Sequence, residues 1–375
     1  MTTRSRRTAF VVALLAMAAA LVAGVAVVRD TDEGGNPGRT AEGCGLPDQS
    51  DGPTWPSACW RPYAKTSPFN EKIPYKPKLN GRSDRIIRTI TARPPGPLEA
   101  GVEQTSEDWG RPMFFSKPGD PVFRVHCTRP WGRCALEGRR IRIPDAAQPA
   151  GGGDAHLTVV DTRSGWEYDM WEVARKPKGG GELVTAWGGR TRIDGDGLGS
   201  EAVAASFGTL GGLVRPEELE ANRIEHALFM TVPCVGVVAG DDTVYPATGQ
   251  ARSCVAGAEA PALGTRIQLM MLPEEIEALP AERWQKTLLH AMAEYGMYVG
   301  DTGGGGSWGI QQQSDTTYTS LGAEPRMVAF AKRAGWRAVE DGGIGRTRYL
   351  GDFGDVVNWR ERLRVVAPCV TAGEC

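Results

Sequence analysis

Apolar and polar residues alternate most clearly over 156–173, and the pattern predicts a β-hairpin with its turn at 162–165. In this register one face pairs apolar residues, with Leu157 opposite Met170 and Val159 opposite Tyr168. The other pairs are Asp161 opposite Trp166, Val160 opposite Glu167, Thr158 opposite Asp169 and His156 opposite Trp171. One face is therefore dry, while the other gathers an imidazole, a hydroxyl, carboxylates and an indole. Such a set is typical of a groove that binds or cleaves sugars.

Other short runs with strand-like patterns follow each other between turn residues, and they predict a mainly β protein. The expected architecture is an antiparallel β-sandwich, jelly-roll-like, with peripheral helices. Helical patterns occur at 201–213, 216–221 and 282–295. Glycine-rich loops such as 151–153 are expected to be mobile. The predicted strands are 122–127, 140–143, 156–160, 166–173, 224–232, 235–238 and 265–272.

The N-terminus carries an export signal, because three arginines precede an uncharged apolar run at 9–28. As a helix this run would be roughly 30 Å long, enough to cross a bilayer, so a cleaved signal peptide and a membrane anchor both stay open. Apart from this segment, no contact with a membrane is expected. The predicted division is 1–28 signal peptide or anchor, 29–45 flexible linker, 46–332 β-sandwich domain and 333–375 a small C-terminal subdomain packed on it.

Eight cysteines in an exported chain predict disulfides, and their spacing favours local bridges. No CxxC or HxxxH pattern is present, so we expect neither a metal site nor a cofactor. The net charge is −2 with both signs interspersed, which argues against a nucleic-acid partner. These features predict an extracellular or cell-surface protein. The expected pairs are Cys44 with Cys59, Cys127 with Cys134, Cys234 with Cys254 and Cys369 with Cys375.

The segment 167–172 has the form ExDxxE and resembles the signature of retaining glycosidases of the laminarinase and lichenase type, which have a β-jelly roll. The resemblance implies that Glu167 is the nucleophile, that Asp169 tunes it and that Glu172 is the acid/base. Retaining hydrolysis requires two carboxyl groups with separated pKa values on one face. Regular alternation places Glu172 on the apolar face, so this role requires a bulge in the strand.

Further polar residues are candidates for the same groove. His156 is expected to act as a base or to position the sugar, oriented by Asp154. The other predicted substrate-binding residues are Trp171, Thr158, His226 and Asp301.

A wider resemblance extends from about residue 67 to 304. The order of the motifs SPFN, DAHLTVVD, YDMWEV, IEHALFMTVP, TRIQL and HAMAEYGMYVGDTGG is similar to that of a group of uncharacterised exported bacterial proteins. It implies shared ancestry but no particular activity. The residues that fall in the motif cores are Asp154, His156, Tyr168, Asp169, His226 and Asp301.

The sequence thus predicts an exported glycoside hydrolase that acts on an extracellular or cell-wall polysaccharide. A non-catalytic protein that binds glycans or organises the cell wall needs the same groove without separated pKa values. A polysaccharide lyase, with His156 as base and a tyrosine as acid, is the third alternative. The predicted hairpin places Tyr168 on the face opposite His156, which argues against that pair.

Overall fold

Strands dominate the fold, as the alternating pattern predicts. The computed structural model describes residues 44–49, 52–236, 243–251, 254, 259–303 and 306–375. Its strand content is 27% and its helix content 16%, which confirms a mainly β protein. The predicted signal or anchor and most of the predicted linker lie outside the described residues.

The largest sheet has six strands in the order β2-β5-β6-β7-β3-β4. It is mixed: β2 and β5 are parallel, and so are β3 and β7. The antiparallel prediction is therefore only partly correct, because the chain crosses from β2 to the far edge of the sheet before it returns to β5. The strands are β2 Met113–Ser116, β3 Val122–Cys127, β4 Arg140–Arg142, β5 Leu157–Asp161, β6 Trp166–Arg175 and β7 Gly181–Arg192.

The predicted hairpin is formed by β5 and β6, and its register from Leu157 opposite Met170 to Asp161 opposite Trp166 is the predicted one. The expected pair of His156 and Trp171 is not formed. Both Ala155 (φ 36°) and Glu172 (φ 50°) have positive φ, which ends the regular alternation at this point. The backbone N–H of Glu172 donates instead to the carbonyl of Asp154, at 2.7 Å.

A second sheet has five strands in the order β11-β8-β10-β9-β14, with β8 and β10 parallel. A third, antiparallel sheet has the order β1-β13-β12. Residues 333–375, predicted as a C-terminal subdomain, supply strands to both of these sheets. The strands are β1 Leu98–Ala100, β8 Leu228–Val232, β9 Arg266–Leu269, β10 Met297–Thr302, β11 Gly309–Ile310, β12 Arg337–Asp341, β13 Arg346–Gly351 and β14 Leu363–Val365.

One hydrophobic core contains residues from both larger sheets, among them Met113 and Val160 from the first and Leu228 and Met297 from the second. A separate core covers the other face of the six-stranded sheet and includes Val159, which lies on the dry face of the hairpin. Both faces of the hairpin are therefore buried. The face that carries Thr158, Glu167 and Asp169 is covered by protein and is not an open groove.

The helices lie between and beside the sheets. α4 buries Trp284, Leu288 and Met292 and ends before Gly296, whose φ is 75°, as the helical pattern predicts. The expected helix at 201–213 is absent and the segment forms turns, because Ser206 (φ 58°) and Gly212 (φ 83°) both have the positive φ that interrupts a right-handed helix. The helices are α1 Ser83–Ile90, α2 Pro216–Ala221, α3 Pro273–Glu277, α4 Arg283–Glu294, α5 Thr316–Thr319, α6 Arg326–Arg333, α7 Trp359–Arg362 and α8 Pro368–Thr371.

All four predicted disulfides are present, namely Cys44 with Cys59, Cys127 with Cys134, Cys234 with Cys254, and Cys369 with Cys375. Such bridges are typical of proteins that fold in an oxidising, extracellular environment. Within the described ranges, no helix has both the length and the apolar character that a membrane span requires.

Candidate functional site

A cavity of about 530 Å³ lies beside the start of β2 and the adjacent ends of β8, β10 and β11. Its walls come from residues 96–111, the loop that ends at Asp154, the end of β10 and the segment 307–315. Trp109, with 51% of its surface exposed, lies at the rim. Of the nine residues that the sequence predicts for catalysis or substrate binding, Asp154 and Asp301 line this cavity.

The most unusual residue in the cavity lining is Arg111, because only 3% of its surface is exposed. Its Cζ lies 4.4 Å from the centre of the Phe229 ring. Neither Nε nor Nη1 has a hydrogen-bond partner among the described residues. Burial lowers the pKa of Arg111, whereas the negative charges of Asp301 and Asp154 act in the opposite direction. A buried cation of this kind requires compensating charge nearby.

The backbone on both sides of Arg111 explains its position. The N–H of Arg111 donates to the carbonyl of Gln312, and its own carbonyl accepts from the N–H of Ser314. Gly110 allows this approach, because a Cβ there would lie 2.9 Å from Ser314. The segment before β2 is thereby held against the segment after β11.

Asp301 lies near the end of β10, where the register with β8 shifts between Val299 and Asp301. The intervening Gly300 is required, because a Cβ would lie 2.1 Å from the Phe229 ring. One carboxylate oxygen of Asp301 accepts from the N–H of Thr302 at 2.8 Å and the other from that of Ala204 at 3.4 Å. Burial raises the pKa of Asp301, and Arg111 opposes this shift.

Asp154 reaches the same cavity from the loop before β5. Its Oδ1 accepts the indole N–H of Trp171 at 3.0 Å, so the predicted substrate-binding residue Trp171 contacts the cavity through Asp154. The glycine loop before Asp154 is tightly packed, contrary to the expected mobility. A Cβ at Gly151 would lie 2.4 Å from the carbonyl oxygen of Thr105, and one at Gly152 would lie 2.6 Å from that of Asp108.

Asp108 joins three segments of the cavity wall. Its Oδ2 accepts from the hydroxyls of Ser314 (2.9 Å) and Thr316 (2.8 Å) and from the backbone N–H groups of Gln104 (3.1 Å) and Gly151 (3.3 Å). Burial raises the pKa of this carboxyl, and these hydrogen bonds act in the opposite direction. We assign Asp108 a supporting role, since its four hydrogen bonds hold the segments around residues 104, 151 and 314–316 together.

His156 is buried next to this cluster without lining the cavity. Its Nδ1 has no hydrogen-bond partner among the described residues. Burial, together with the positive charge of Arg111, holds the pKa of His156 well below its usual range. The imidazole is therefore neutral at physiological pH.

The ExDxxE residues do not share one accessible face. Asp169 is fully buried and accepts hydrogen bonds from Thr158 Oγ1 (2.8 Å), Ser200 Oγ (2.5 Å) and the backbone N–H of Thr209 (3.2 Å). Glu172 lies at the surface and pairs with Arg129 at 2.9 Å. None of these residues lines the cavity.

Glu167 is also fully buried, where it accepts hydrogen bonds from the hydroxyl of Tyr63 (2.7 Å) and the backbone N–H of Leu210 (3.0 Å). Burial and the nearby Asp169 raise the pKa of Glu167 well above its usual range. Together, the hydrogen bonds of Glu167 and Asp169 tie β6 to residues 200, 209 and 210. This arrangement is that of a structural polar cluster.

His226 belongs to a different network. It is buried, and its Nε2 lies 3.0 Å from Oε1 of Glu218, which also pairs with Arg215 at 2.8 Å. His226 does not line the cavity. Arg215 in turn donates to the carbonyl of Trp60, so the network fastens α2 to the N-terminal segment.

Searches against protein-family models, curated proteins and solved structures find no match for this chain. The site must therefore be interpreted from its own chemistry. Sequence reasoning missed Arg111, since a single arginine in an irregular segment carries no pattern. In the described part of the chain, no cluster of three or more His, Cys, Asp or Glu residues is arranged to hold a metal ion.

Asp315 provides a test of electrostatics at the cavity wall. Its carboxylate accepts hydrogen bonds from the N–H groups of Met327 (2.8 Å) and Val328 (2.9 Å) at the start of α6, while burial raises its pKa to about 7. Because the pKa of Asp315 is higher in the folded than in the unfolded state, its proton stabilises the folded state. This stabilisation is complete below the pKa of the unfolded state and is lost as the pH rises through about 7. Between about pH 4 and 7, we expect the ionisation of Asp315 to lower the free energy of unfolding by up to about 1.4 kcal/mol for each unit by which the pH rises.

Asp315→Asn should remove this part of the pH dependence. The measurement is chemical denaturation of wild type and variant at half-unit steps from pH 4 to 8. Asp355→Asn, at an exposed position, is the matched control and should retain the wild-type slope. Equal slopes for Asp315→Asn and wild type would contradict the expected shift.

Proposed function

We propose that this protein is an exported glycoside hydrolase whose active site is the cavity, with Asp301 and Asp154 as the two catalytic carboxyl groups. The observation that carries the proposal is that these two side chains come from different parts of the fold and line one cavity together with the buried Arg111. The scaffold we propose is a β-sandwich, supported by the core that the two larger sheets share.

The environments of the two carboxyl groups support different roles. Burial raises the pKa of Asp301, which suits a general acid that protonates the glycosidic oxygen as the bond to the anomeric carbon breaks. Asp154, held by the indole of Trp171, supplies the second carboxylate, which either attacks the anomeric carbon or activates water. Arg111, buried in the same cavity, is a positioning residue that balances the charge of the second carboxylate, Asp154.

The lining of the cavity favours a neutral glycan. Trp109 offers an exposed aromatic surface, and Gln311 and Thr302 offer polar groups for sugar hydroxyls. Arg111 is the one basic side chain among the lining residues that the structure describes, against seven acidic ones. A polyanionic chain would find one cation, the buried Arg111, to pair with among these lining residues. The acidic lining residues are Glu99, Glu103, Glu107, Asp108, Asp154, Asp301 and Asp315.

A glycan-binding protein without catalysis is the second candidate, favoured by the exposed tryptophans Trp109 and Trp131. It needs the aromatic surfaces but no proton donor. A lyase is less well supported, since Tyr168 lies opposite Val159 on the dry face of the hairpin and packs in the separate core. The buried His156 also lacks contact with the cavity.

The test uses the protein with its disulfides formed and a panel of cellulose, xylan, mannan, laminarin, chitin, polygalacturonate and alginate. We expect new reducing ends from at least one neutral member, no ultraviolet-absorbing product and no cleavage of the two acidic polymers. Binding without any product would favour the second candidate. An ultraviolet-absorbing product would indicate a lyase, and the absence of both binding and cleavage would overturn the proposal.

A further inference from the structure

Three tryptophans form an aromatic cluster outside the cavity. Trp131 stacks on Trp171, with ring centroids 5.6 Å apart and an angle of 22° between the planes. It also lies 5.7 Å from the ring of Trp187. Nevertheless 60% of the surface of Trp131 is exposed, so stacking covers one side of the indole and leaves the other to solvent.

A disulfide and two backbone hydrogen bonds hold the loop that carries Trp131. The disulfide of Cys127 and Cys134 closes it. The backbone N–H groups of Thr128 and Arg129 donate to carbonyls of β7, both at 3.0 Å. An aromatic surface fixed in this way loses little conformational entropy when a ligand binds.

Charged side chains surround the cluster. The guanidinium of Arg129 lies 5.4 Å from the ring centre of Trp131 and 5.6 Å from that of Trp171, and it pairs with Glu172 at 2.9 Å. The indole N–H of Trp187 donates to Glu201 at 3.1 Å. The exposed ring therefore has a polar rim, which suits the hydroxyl groups around a sugar ring.

The cluster is connected to the cavity through one hydrogen bond. Trp171 stacks on Trp131 and donates its indole N–H to Asp154, which lines the cavity. Trp171 therefore bridges the cavity lining and Trp131, through its hydrogen bond to Asp154 and its stacked ring.

We infer that Trp131 is a second glycan subsite, which stacks a neutral sugar ring of the same chain that enters the cavity. The inference rests on the proposed function and specifies its substrate as a polymer rather than a short saccharide. A membrane is a poorer ligand for this indole, because the ion pair of Arg129 with Glu172 and the carboxylate of Glu201 lie beside it and would lose their hydration in a bilayer.

The test is calorimetric titration with neutral oligosaccharides of two to eight units from cellulose, xylan, mannan and chitin, with cleavage products read in parallel. Wild type should bind longer members of at least one series more tightly. Trp131→Ala should weaken binding of the longest member by about tenfold, and the loss should shrink as the chain shortens. Trp131→Phe should retain most of the affinity, since a ring remains available for stacking.

Tyr75→Ala is the matched control, because Tyr75 is an 82% exposed aromatic residue that is neither one of the clustered rings nor a lining residue of the cavity. It should bind and cleave as wild type does. Length-dependent binding that Trp131→Ala abolishes, without cleavage by any protein, would support the subsite and reject the hydrolase. Cleavage with equal length dependence in wild type and Trp131→Ala would overturn the subsite alone. No binding by wild type would overturn both.

Discussion

Asp301→Asn is expected to lower kcat on a natural glycan by roughly 10²–10⁴-fold, the contribution of a positioned general acid. Asparagine keeps the shape of the side chain, and its amide oxygen can still accept the N–H of Thr302, which lies 2.8 Å from Asp301. It has no proton to give to the leaving group. The melting temperature should therefore change far less than the rate.

Substrates with different leaving groups can distinguish whether Asp301 donates a proton or only positions the substrate. An aryl glycoside of the sugar that wild type releases has an acidic phenol as leaving group and needs little protonation. Asp301→Asn should therefore retain much more activity on the aryl glycoside than on the natural glycan. Asp154→Asn should be defective on both substrates, because the second carboxylate acts at the anomeric carbon in either case.

Asp355→Asn is the control for both variants, since Asp355 is exposed and does not line the cavity. Full activity of Asp301→Asn on the natural glycan would reject its role as the acid. A loss of activity that parallels a loss of folded protein would show that Asp301 serves the structure instead.

The second large effect concerns stability. Asp169→Ala is expected to lower the free energy of unfolding by about 3–5 kcal/mol, because it leaves the hydroxyls of Thr158 and Ser200 and the N–H of Thr209 without their buried acceptor. Chemical denaturation with the disulfides intact measures the change. If Asp169 were a catalytic residue in an accessible groove, the variant would lose turnover and keep its stability.

Glu172→Ala is the matched control from the same ExDxxE motif. It removes a partly exposed pair with Arg129, so the expected cost is only about 0.2–1 kcal/mol. Similar large losses for both variants would contradict the difference in burial between Asp169 and Glu172.

Local features of the fold were predictable because they depend on neighbours in sequence. The period of two from Leu157 to Met170, with a four-residue turn, determines the register of the β5–β6 hairpin. The close spacing of the cysteines likewise identified all four bridges. The α4 helix followed from its apolar face and from the glycine after it.

The candidate site was only partly predictable, because a polar stripe has the same pattern whether it faces water or buried partners. Thr158, Glu167 and Asp169 looked like a groove, yet Ser200 and the backbone of Thr209 and Leu210 cover them from a distant segment. Arg111 joins the cavity through contacts with residues about two hundred positions later. A pattern of neighbouring residues in the sequence cannot predict a contact between segments so far apart in the chain.

The pairing of β14 with β9, and of β13 with β1, means that two sheets gain strands only when the C-terminal part of the chain has been synthesised. Until residues 363–365 are made, β9 has unpaired backbone groups on one side, and such an edge is prone to associate with other chains. A truncated product that stops before Leu363 would carry every cavity residue and still expose this edge. Pairing with residues 363–365 satisfies these backbone groups of β9.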